Sequence, residues 1–172
     1  MKTALITGAA RGIGLATTDI LCVQGWHVVM VDRDADEVTA RASERQAVTA
    51  MVHDISDPEQ VDTMVARTLA ARGQIDALVN NAGVADFGPI EQTSFERWRR
   101  VMETNLDGAF LCTQAATPAL KASRGAVVNI ASISGLRAST LRVAYGTSKA
   151  AIIHMTQQYA AELGEYGIRV NS

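Results

Sequence analysis

Residue types that mark specialised protein classes are scarce in this sequence of 172 residues. It contains two cysteines, three histidines and three prolines, and aromatic residues make up only 5% of it. Cys22 and Cys112 lie far apart and fall on apolar faces of predicted helices, so we expect buried thiols rather than a disulfide or metal site. The histidines are scattered, which disfavours a zinc site. With no Pro-rich linker, we expect one domain spanning residues 1–172.

Strong charge and long apolar runs are lacking as well. The formal net charge is −2, 20% of the residues are charged, and no basic run occurs, so nucleic-acid binding is not expected. No apolar run approaches the ~20 residues of a membrane helix. The first strand-like residues begin at Thr3, which leaves no room for a signal peptide. These features predict a soluble, cytoplasmic protein without nucleic-acid or membrane partners.

What the sequence has is a regular alternation of short apolar runs and longer helical patterns. The predicted strands are Thr3–Thr7, Val28–Val31, Val48–Val52, Ile75–Val79, Ala126–Ala131 and Ile168–Asn171. The predicted helices are Gly12–Val23, Asp34–Arg45, Pro58–Arg72, Ser94–Ala122 and Val143–Tyr166. Nearly continuous apolar strands are typical of parallel strands buried on both faces. The alternation therefore predicts a doubly wound, Rossmann-type α/β/α fold that ends at about its sixth strand.

Some residues predict where the helices break or stop. We expect the fourth helix to be kinked or divided at Pro118 or in the region 105–108. The glycines that follow helical patterns are expected to end them; these are Gly25, Gly73, Gly125 and Gly167.

A glycine-rich turn, TGAARGIG, follows the first predicted strand and opens the first predicted helix. Gly8 permits a tight turn, Gly12 allows backbone to approach a ligand, and Gly14 allows the helix to pack against the strand. Free N–H groups and the positive helix end favour a pyrophosphate there. The alternative is that these glycines serve a tight turn only.

Charged residues near this turn bear on the choice of dinucleotide. Asp32 ends the second predicted strand, where a carboxylate can accept hydrogen bonds from the adenosine ribose and repel a 2′-phosphate. Arg11 and Arg33 stand where a 2′-phosphate could be gripped, although Arg11 can instead face solvent or the pyrophosphate. Since the acid should lie nearest the 2′ position, we expect NAD rather than NADP.

An ordered set of motifs extends this pattern along the chain. They are Thr7-Gly8-x-x-x-Gly12-Ile13-Gly14, Asp54, Asn80-Asn81-Ala82-Gly83, Asn105, Ser132 and Tyr145-x-x-x-Lys149. Together they resemble the short-chain dehydrogenase/reductase family from Thr3 to the last residue. The resemblance implies an NAD(P)-dependent oxidoreductase acting on CH–OH groups, and a homo-oligomer, dimer or tetramer, when full length.

The resemblance also implies a role for each matching residue. Asp54 and the backbone of Ile55 would hold the adenine edge, and Asn81, Ala82 and Gly83 would line the ribose side of the cofactor groove. Asn105 would disrupt its helix and hold a water that links Lys149 to solvent. The implied cofactor-binding set is Gly8, Arg11, Gly12, Ile13, Gly14, Asp32, Asp54, Ile55, Asn81, Ala82, Gly83, Tyr145 and Lys149.

Tyr145 and Lys149 share one face of a predicted helix because four residues separate them. A free tyrosine has a pKa of about 10, and a neighbouring ammonium lowers it by favouring the phenolate. We therefore expect Tyr145 to be the general acid/base and Lys149 its electrostatic partner. Ser132, at the end of the fifth strand, can donate to the substrate oxygen. Asn105 completes the expected catalytic set.

Two loops are expected to face the substrate. The loops 84–90 and 134–143 carry Phe87, Leu136 and Leu141, which suggests a mostly apolar secondary alcohol or ketone. Three alternatives remain: a dinucleotide-binding sensor without turnover, an NADPH-dependent 3-oxoacyl-carrier-type reductase, and a related dehydratase or epimerase. The last of these also uses a tyrosine–lysine pair. Because family members continue further, we expect a truncated or partial form that lacks the C-terminal lid and seventh strand.

Overall fold

A computed structural model describes all residues, 1–172, and its six strands form one sheet. The strands are β1 (Thr3–Thr7), β2 (His27–Asp32), β3 (Val48–Val52), β4 (Ala77–Asn80), β5 (Ala126–Asn129) and β6 (Arg169–Asn171). Their order is β3-β2-β1-β4-β5-β6, and every adjacent pair is parallel. The order reverses between β1 and β4, where doubly wound sheets open a ligand crevice at the carboxyl ends of the strands. The predicted fold class is confirmed.

Helices cover both faces of the sheet. They are α1 (Gly12–Val23), α2 (Ala35–Ser43), α3 (Pro58–Arg72), α4 (Phe95–Met102), α5 (Gly108–Ser123) and α6 (Val143–Leu163). Short 3₁₀ turns lie at Ile90–Gln92, Ile133–Gly135 and Gly164–Tyr166. Successive β1 residues point to opposite faces, so Leu5 joins the apolar core that includes Leu120 of α5, while Ile6 joins the one with Val38 of α2. None of the helices has both the length and the apolar character needed to cross a membrane.

The fourth predicted helix is divided, at one of the two expected places. A single turn of π-helix, Glu103–Asp107, separates α4 from α5. Pro118 lies inside α5 and does not interrupt it. The division therefore falls at Asn105, whose side chain forms hydrogen bonds with Val84 and Ser148 outside its own helix.

Two smaller expectations are wrong. Arg124, not Gly125, is the left-handed residue that ends α5, with φ +51°. Gly125 is needed for space instead, because a Cβ there would lie 2.6 Å from the carbonyl oxygen of Asp76. Cys22 is half-exposed rather than buried, whereas Cys112 is buried and burial raises the pKa of its thiol to about 12.

Candidate active site

The glycine turn between β1 and α1 is shaped by contact with the turn that follows β4. Gly8 has φ +63°, and a Cβ on it would lie 2.7 Å from Ala82 Cα. A Cβ on Gly14 would lie 2.4 Å from the carbonyl oxygen of Gly8 and 2.6 Å from Asn81 Nδ2. Gly14 therefore lets the helix approach the turn and Asn81, rather than the strand as expected. Gly12, with φ +56°, has no atom within 4 Å of such a Cβ, so the space outside it is open.

The Asn81 side chain fastens these two turns together. Its Nδ2 donates to the carbonyl oxygens of Thr7 (3.0 Å) and Gly8 (2.9 Å). The backbone N–H groups of Asn81 and Ala82 both donate to Thr7 Oγ1, each at 3.1 Å. Because both hydrogens of the Asn81 amide are occupied, this side chain holds the shape of the groove wall and leaves its neighbours' backbone to face a ligand.

The N-terminus of α1 has no side-chain partner for its free N–H groups. Arg11 stands at the N-cap without a capping hydrogen bond, and the first turn contains no acid. By contrast, Asp34, Asp57 and Ser94 each cap their helices with a side-chain oxygen. An open helix N-terminus of this kind, beside a glycine turn, suits a phosphate group.

Acidic and basic residues surround the next part of the groove. Asp32 accepts hydrogen bonds from the backbone N–H of Ala10 (3.1 Å) and of Asp34 (3.2 Å). Arg11 forms an ion pair with Asp34 and faces solvent, which is one of the orientations considered from the sequence. Arg33 is exposed and forms no ion pair.

The groove is about 470 Å³ in volume and elongated along the carboxyl ends of the strands. It runs from the glycine turn past Asp32 to Asp54 and Ile55, and it is bordered on the other side by Asn81 to Val84. Asp54 Oδ1 accepts from the N–H (2.9 Å) and the hydroxyl (2.7 Å) of Ser56. The open helix end, the space outside Gly12 and the length of the groove fit a dinucleotide.

Sequence reasoning missed five residues that line this groove, namely Val31, Asp34, His53, Val84 and Thr104. His53 is buried with no partner for Nε2, and burial lowers its pKa. His53 and Thr104 immediately precede the predicted site residues Asp54 and Asn105, so their position next to these residues was the available signal. The role of Asp34 as the partner of Arg11 was missed as well.

Asn105 is buried in the π-helical turn, with 2% of its surface exposed. Its Oδ1 accepts from the N–H of Val84 at 2.7 Å, and its Nδ2 donates to the carbonyl of Val84 at 2.9 Å and to Ser148 Oγ at 3.0 Å. Ser148 in turn donates to the carbonyl of Tyr145 at 2.8 Å. Asn105 thus connects the loop after β4 to the first turn of α6.

Lys149 lies at the junction of the groove, β5 and α6. Its Nζ donates to the carbonyl of Ile130 at 2.6 Å and lies 5.8 Å from the centre of the Tyr145 ring. The side chain is buried, forms no ion pair, and its pKa is lowered by burial. A Cβ on Gly83 would lie 3.7 Å from Nζ, so the ammonium lies behind the groove wall at Gly83, but neither Lys149 nor Tyr145 lines the groove itself.

Ser132 is held against the same part of α6. It caps the turn Ile133–Gly135, and its Oγ accepts from the N–H of Ser134 at 3.1 Å. A Cβ on Gly135 would lie 2.6 Å from the backbone carbon of Lys149, so this turn packs directly on α6. Because Ser132 Oγ is an acceptor in its protein contact, its own hydrogen is left to donate to a ligand.

The structure therefore links Asn105 to the Tyr145 backbone through Ser148, while Lys149 bonds separately to Ile130 and Ser132 lies on the adjoining turn. No group of three or more His, Cys, Asp or Glu side chains is placed to hold a metal ion.

Comparison with known proteins agrees with this geometry. Residues 2–172 match the family model described as short chain dehydrogenase. Trans-4-hydroxycyclohexanecarboxylate dehydrogenase of Sinomonas cyclohexanicum is 40% identical over 99% of this chain and 70% of its own length. The 3-alpha-(or 20-beta)-hydroxysteroid dehydrogenase of Mycobacterium bovis is 38% identical over 99% of this chain and 66% of its own length. The chain thus spans about two thirds of the length of these relatives.

Solved structures give the same result. A 3-ketoacyl-(acyl-carrier-protein) reductase from Brucella melitensis, complexed with NADH, superposes with a TM-score of 0.95 at 32% identity, covering 98% of this chain and 72% of that one. An NAD+-bound xylitol dehydrogenase superposes with a TM-score of 0.95 at 34% identity, covering 99% and 68%. The chain belongs to the short chain dehydrogenase family, a family of nicotinamide-dependent oxidoreductases, as its motifs predict.

Proposed function

We propose that this protein transfers a hydride between NAD(H) and a secondary alcohol or ketone, with Tyr145 as general acid/base. The observation that carries the proposal is Lys149. It is a buried ammonium with no ion pair, one helical turn from Tyr145 and in hydrogen-bond contact with the carbonyl of Ile130 alone. Burying a lysine without a carboxylate is costly, and such groups are found where function requires them.

The proposed chemistry divides the work between the cofactor and three side chains. When bound, the nicotinamide accepts or releases the hydride. Ser132 donates its hydroxyl hydrogen to the substrate oxygen and orients it. In the oxidation direction the Tyr145 oxygen takes the proton of the alcohol, and in reduction it returns that proton to the carbonyl oxygen. Lys149 stabilises the phenolate through its positive charge.

We assign Asn105 a positioning role rather than a chemical one. Its bonds to Val84 and Ser148 fix the groove wall relative to the helix that carries Tyr145. The water relay implied by the family resemblance stays a prediction.

The loops beside the site support a small, mostly apolar substrate. Phe87, Leu136 and Leu141 are all more than half exposed. The N–H of Gly88 donates to the carbonyl of Leu141 at 3.0 Å, so the two loops meet. The named relatives act on substrates from cyclohexane derivatives to steroids, which gives the panel to assay. A 3-oxoacyl-carrier-type reductase remains the second candidate, because one structural neighbour is named a 3-ketoacyl-(acyl-carrier-protein) reductase; that neighbour is complexed with NADH, which does not favour the NADPH part of this alternative.

We test the proposal with Tyr145→Phe and the matched exposed control Tyr166→Phe. The purified protein is assayed at 340 nm with cyclohexanol, 4-hydroxycyclohexanecarboxylate, xylitol and a 3-hydroxysteroid. We expect Tyr145→Phe to lower turnover by about 10²–10⁴-fold while NADH binding persists, and Tyr166→Phe to leave both unchanged. Near-normal turnover in Tyr145→Phe would refute the acid/base assignment. NADH binding without turnover of any substrate would favour the sensor.

Three wider properties also stay proposals. NAD is favoured over NADP because Asp32 faces the groove where the adenosine ribose would lie, and paired titrations with NADH and NADPH test this. We propose a cytoplasmic homo-oligomer, which fractionation and light scattering test. The assignment of residues 1–172 to one dinucleotide-binding domain is tested by whether urea unfolds them in a single cooperative transition.

A further inference from the structure

Arg11 and Asp34 form an ion pair at the ribose end of the groove, and both line it. Arg11 stands in the glycine turn and Asp34 just after β2, with 65% and 43% of their side chains exposed. The parallel pairing of β1 and β2 brings these two segments side by side. A cation positioned for a phosphate is therefore already occupied by a carboxylate of the same chain.

Asp34 is held in this position by its other contacts. Its Oδ1 accepts from the N–H of Glu37 and caps α2, while Oδ2 faces Arg11. Its own N–H donates to Asp32 Oδ1 at 3.2 Å. The carboxylates of Asp32 and Asp34 are thus held near each other. Because Asp34 caps α2 through Oδ1, its other oxygen, Oδ2, is directed toward Arg11.

The pair has two effects on a nucleotide that carries a 2′-phosphate. Arg11 must leave Asp34 before it can donate to that phosphate, and Asp34 then adds a second negative charge beside Asp32. A nucleotide with an unmodified ribose meets neither penalty. Arg33 is exposed in the same region and forms no ion pair, so removing the charge of Asp34 would free Arg11 as a second arginine beside it.

We propose that Asp34 is a specificity-determining residue, which withholds Arg11 from a 2′-phosphate and so reinforces the preference for NAD set at Asp32. The inference rests on the proposed function, because it requires that the groove bind a nicotinamide dinucleotide. Asp34 acts through the guanidinium of Arg11 and through its own charge.

The test is a set of dissociation constants for NADH and NADPH, followed by nucleotide fluorescence, for the unaltered protein and for Asp34→Asn. Asparagine preserves the helix cap, so the fold should be retained, and a circular dichroism melt checks this. We expect NADPH to bind roughly tenfold more tightly to Asp34→Asn, because that is about the effect of removing one charge at a partly exposed position. The dissociation constant for NADH should change less than about twofold.

Two further variants separate the pair from bulk charge. Asp36→Asn removes the same charge from the first turn of α2 without touching Arg11, and it should leave the NADPH constant nearly unchanged. Arg11→Gln should weaken NADPH binding several-fold more in the Asp34→Asn background than alone. An equal gain from Asp36→Asn, or no gain from Asp34→Asn, would overturn the inference while the proposed function stands. Failure of the unaltered protein to bind either nucleotide would contradict both.

Discussion

Gly14→Ala is the substitution whose consequence the structure specifies most closely. The new Cβ would lie 2.4 Å from the carbonyl oxygen of Gly8, 2.6 Å from Asn81 Nδ2 and 3.0 Å from Ala9 Cα. Gly8 has little room to move away from the new methyl group, because it already packs closely against Ala82; a Cβ on Gly8 would lie only 2.7 Å from Ala82 Cα. Asn81 cannot move without losing its hydrogen bonds to Thr7 and Gly8.

The expected magnitude follows from these contacts. Overpacking costs about 1–3 kcal/mol, and each hydrogen bond lost from Asn81 costs about 1 kcal/mol. The higher helix propensity of alanine returns at most about 1 kcal/mol. We expect the free energy of unfolding to fall by about 2–3 kcal/mol. We also expect NADH binding to weaken, because the substitution displaces the turn that we propose as the pyrophosphate site.

Urea unfolding followed by circular dichroism measures the first effect, and an NADH titration measures the second. The matched control is Gly164→Ala, since Gly164 has φ −60° and no atom within 4 Å of a Cβ. This control should change stability by less than about 1 kcal/mol, in the stabilising direction. If Gly14→Ala proved no more destabilising than Gly164→Ala, the packing of the glycine turn described above would be wrong.

Two further predictions concern the network behind the dyad. Asn105→Ala should lower the unfolding free energy by about 2–4 kcal/mol, because it leaves the backbone N–H and C=O of Val84 without partners and removes the donor to Ser148 Oγ. The exposed Asn171→Ala serves as the control in the same urea assay. Burial lowers the pKa of Lys149, so between its folded pKa and the ordinary value of about 10.4 the unfolded chain binds more protons. The stability of the unaltered protein relative to Lys149→Met should therefore rise with pH through that interval, and a pH-independent difference would contradict the buried position of Lys149.

Local patterns were enough to predict most of the fold. The bounds of β1, α1, β3 and α3 agree with the sequence prediction. For β1, α1 and α3 the reason is that glycine, proline or a capping aspartate lies close to their ends. The π-helical turn could not be located to the residue, because it depends on the contacts of Asn105 with Val84 and Ser148. Val84 and Ser148 lie 21 and 43 residues from Asn105 in the sequence, so a local pattern does not reveal these contacts.

The candidate site shows the same limit. Motif spacing predicted the glycine turn and the helical pairing of Tyr145 with Lys149. It did not predict that Arg11 would pair with Asp34, because only the adjacency of β1 and β2 brings these residues together. Nor could it predict that Lys149 would be buried against Ile130, since that burial depends on how α6 packs beside β5.

The central claim, hydride transfer assisted by Tyr145, is tested most directly by isotope transfer. A secondary alcohol deuterated at the carbinol carbon is incubated with NAD+ and the protein, and the nucleotide product is examined by mass spectrometry. Deuterium should appear in NADH with the unaltered protein and be reduced by about 10²-fold or more with Tyr145→Phe, although both proteins bind the nucleotide equally. Equal deuterium transfer by the two proteins, or none by the unaltered protein with any alcohol of the panel, would contradict the claim.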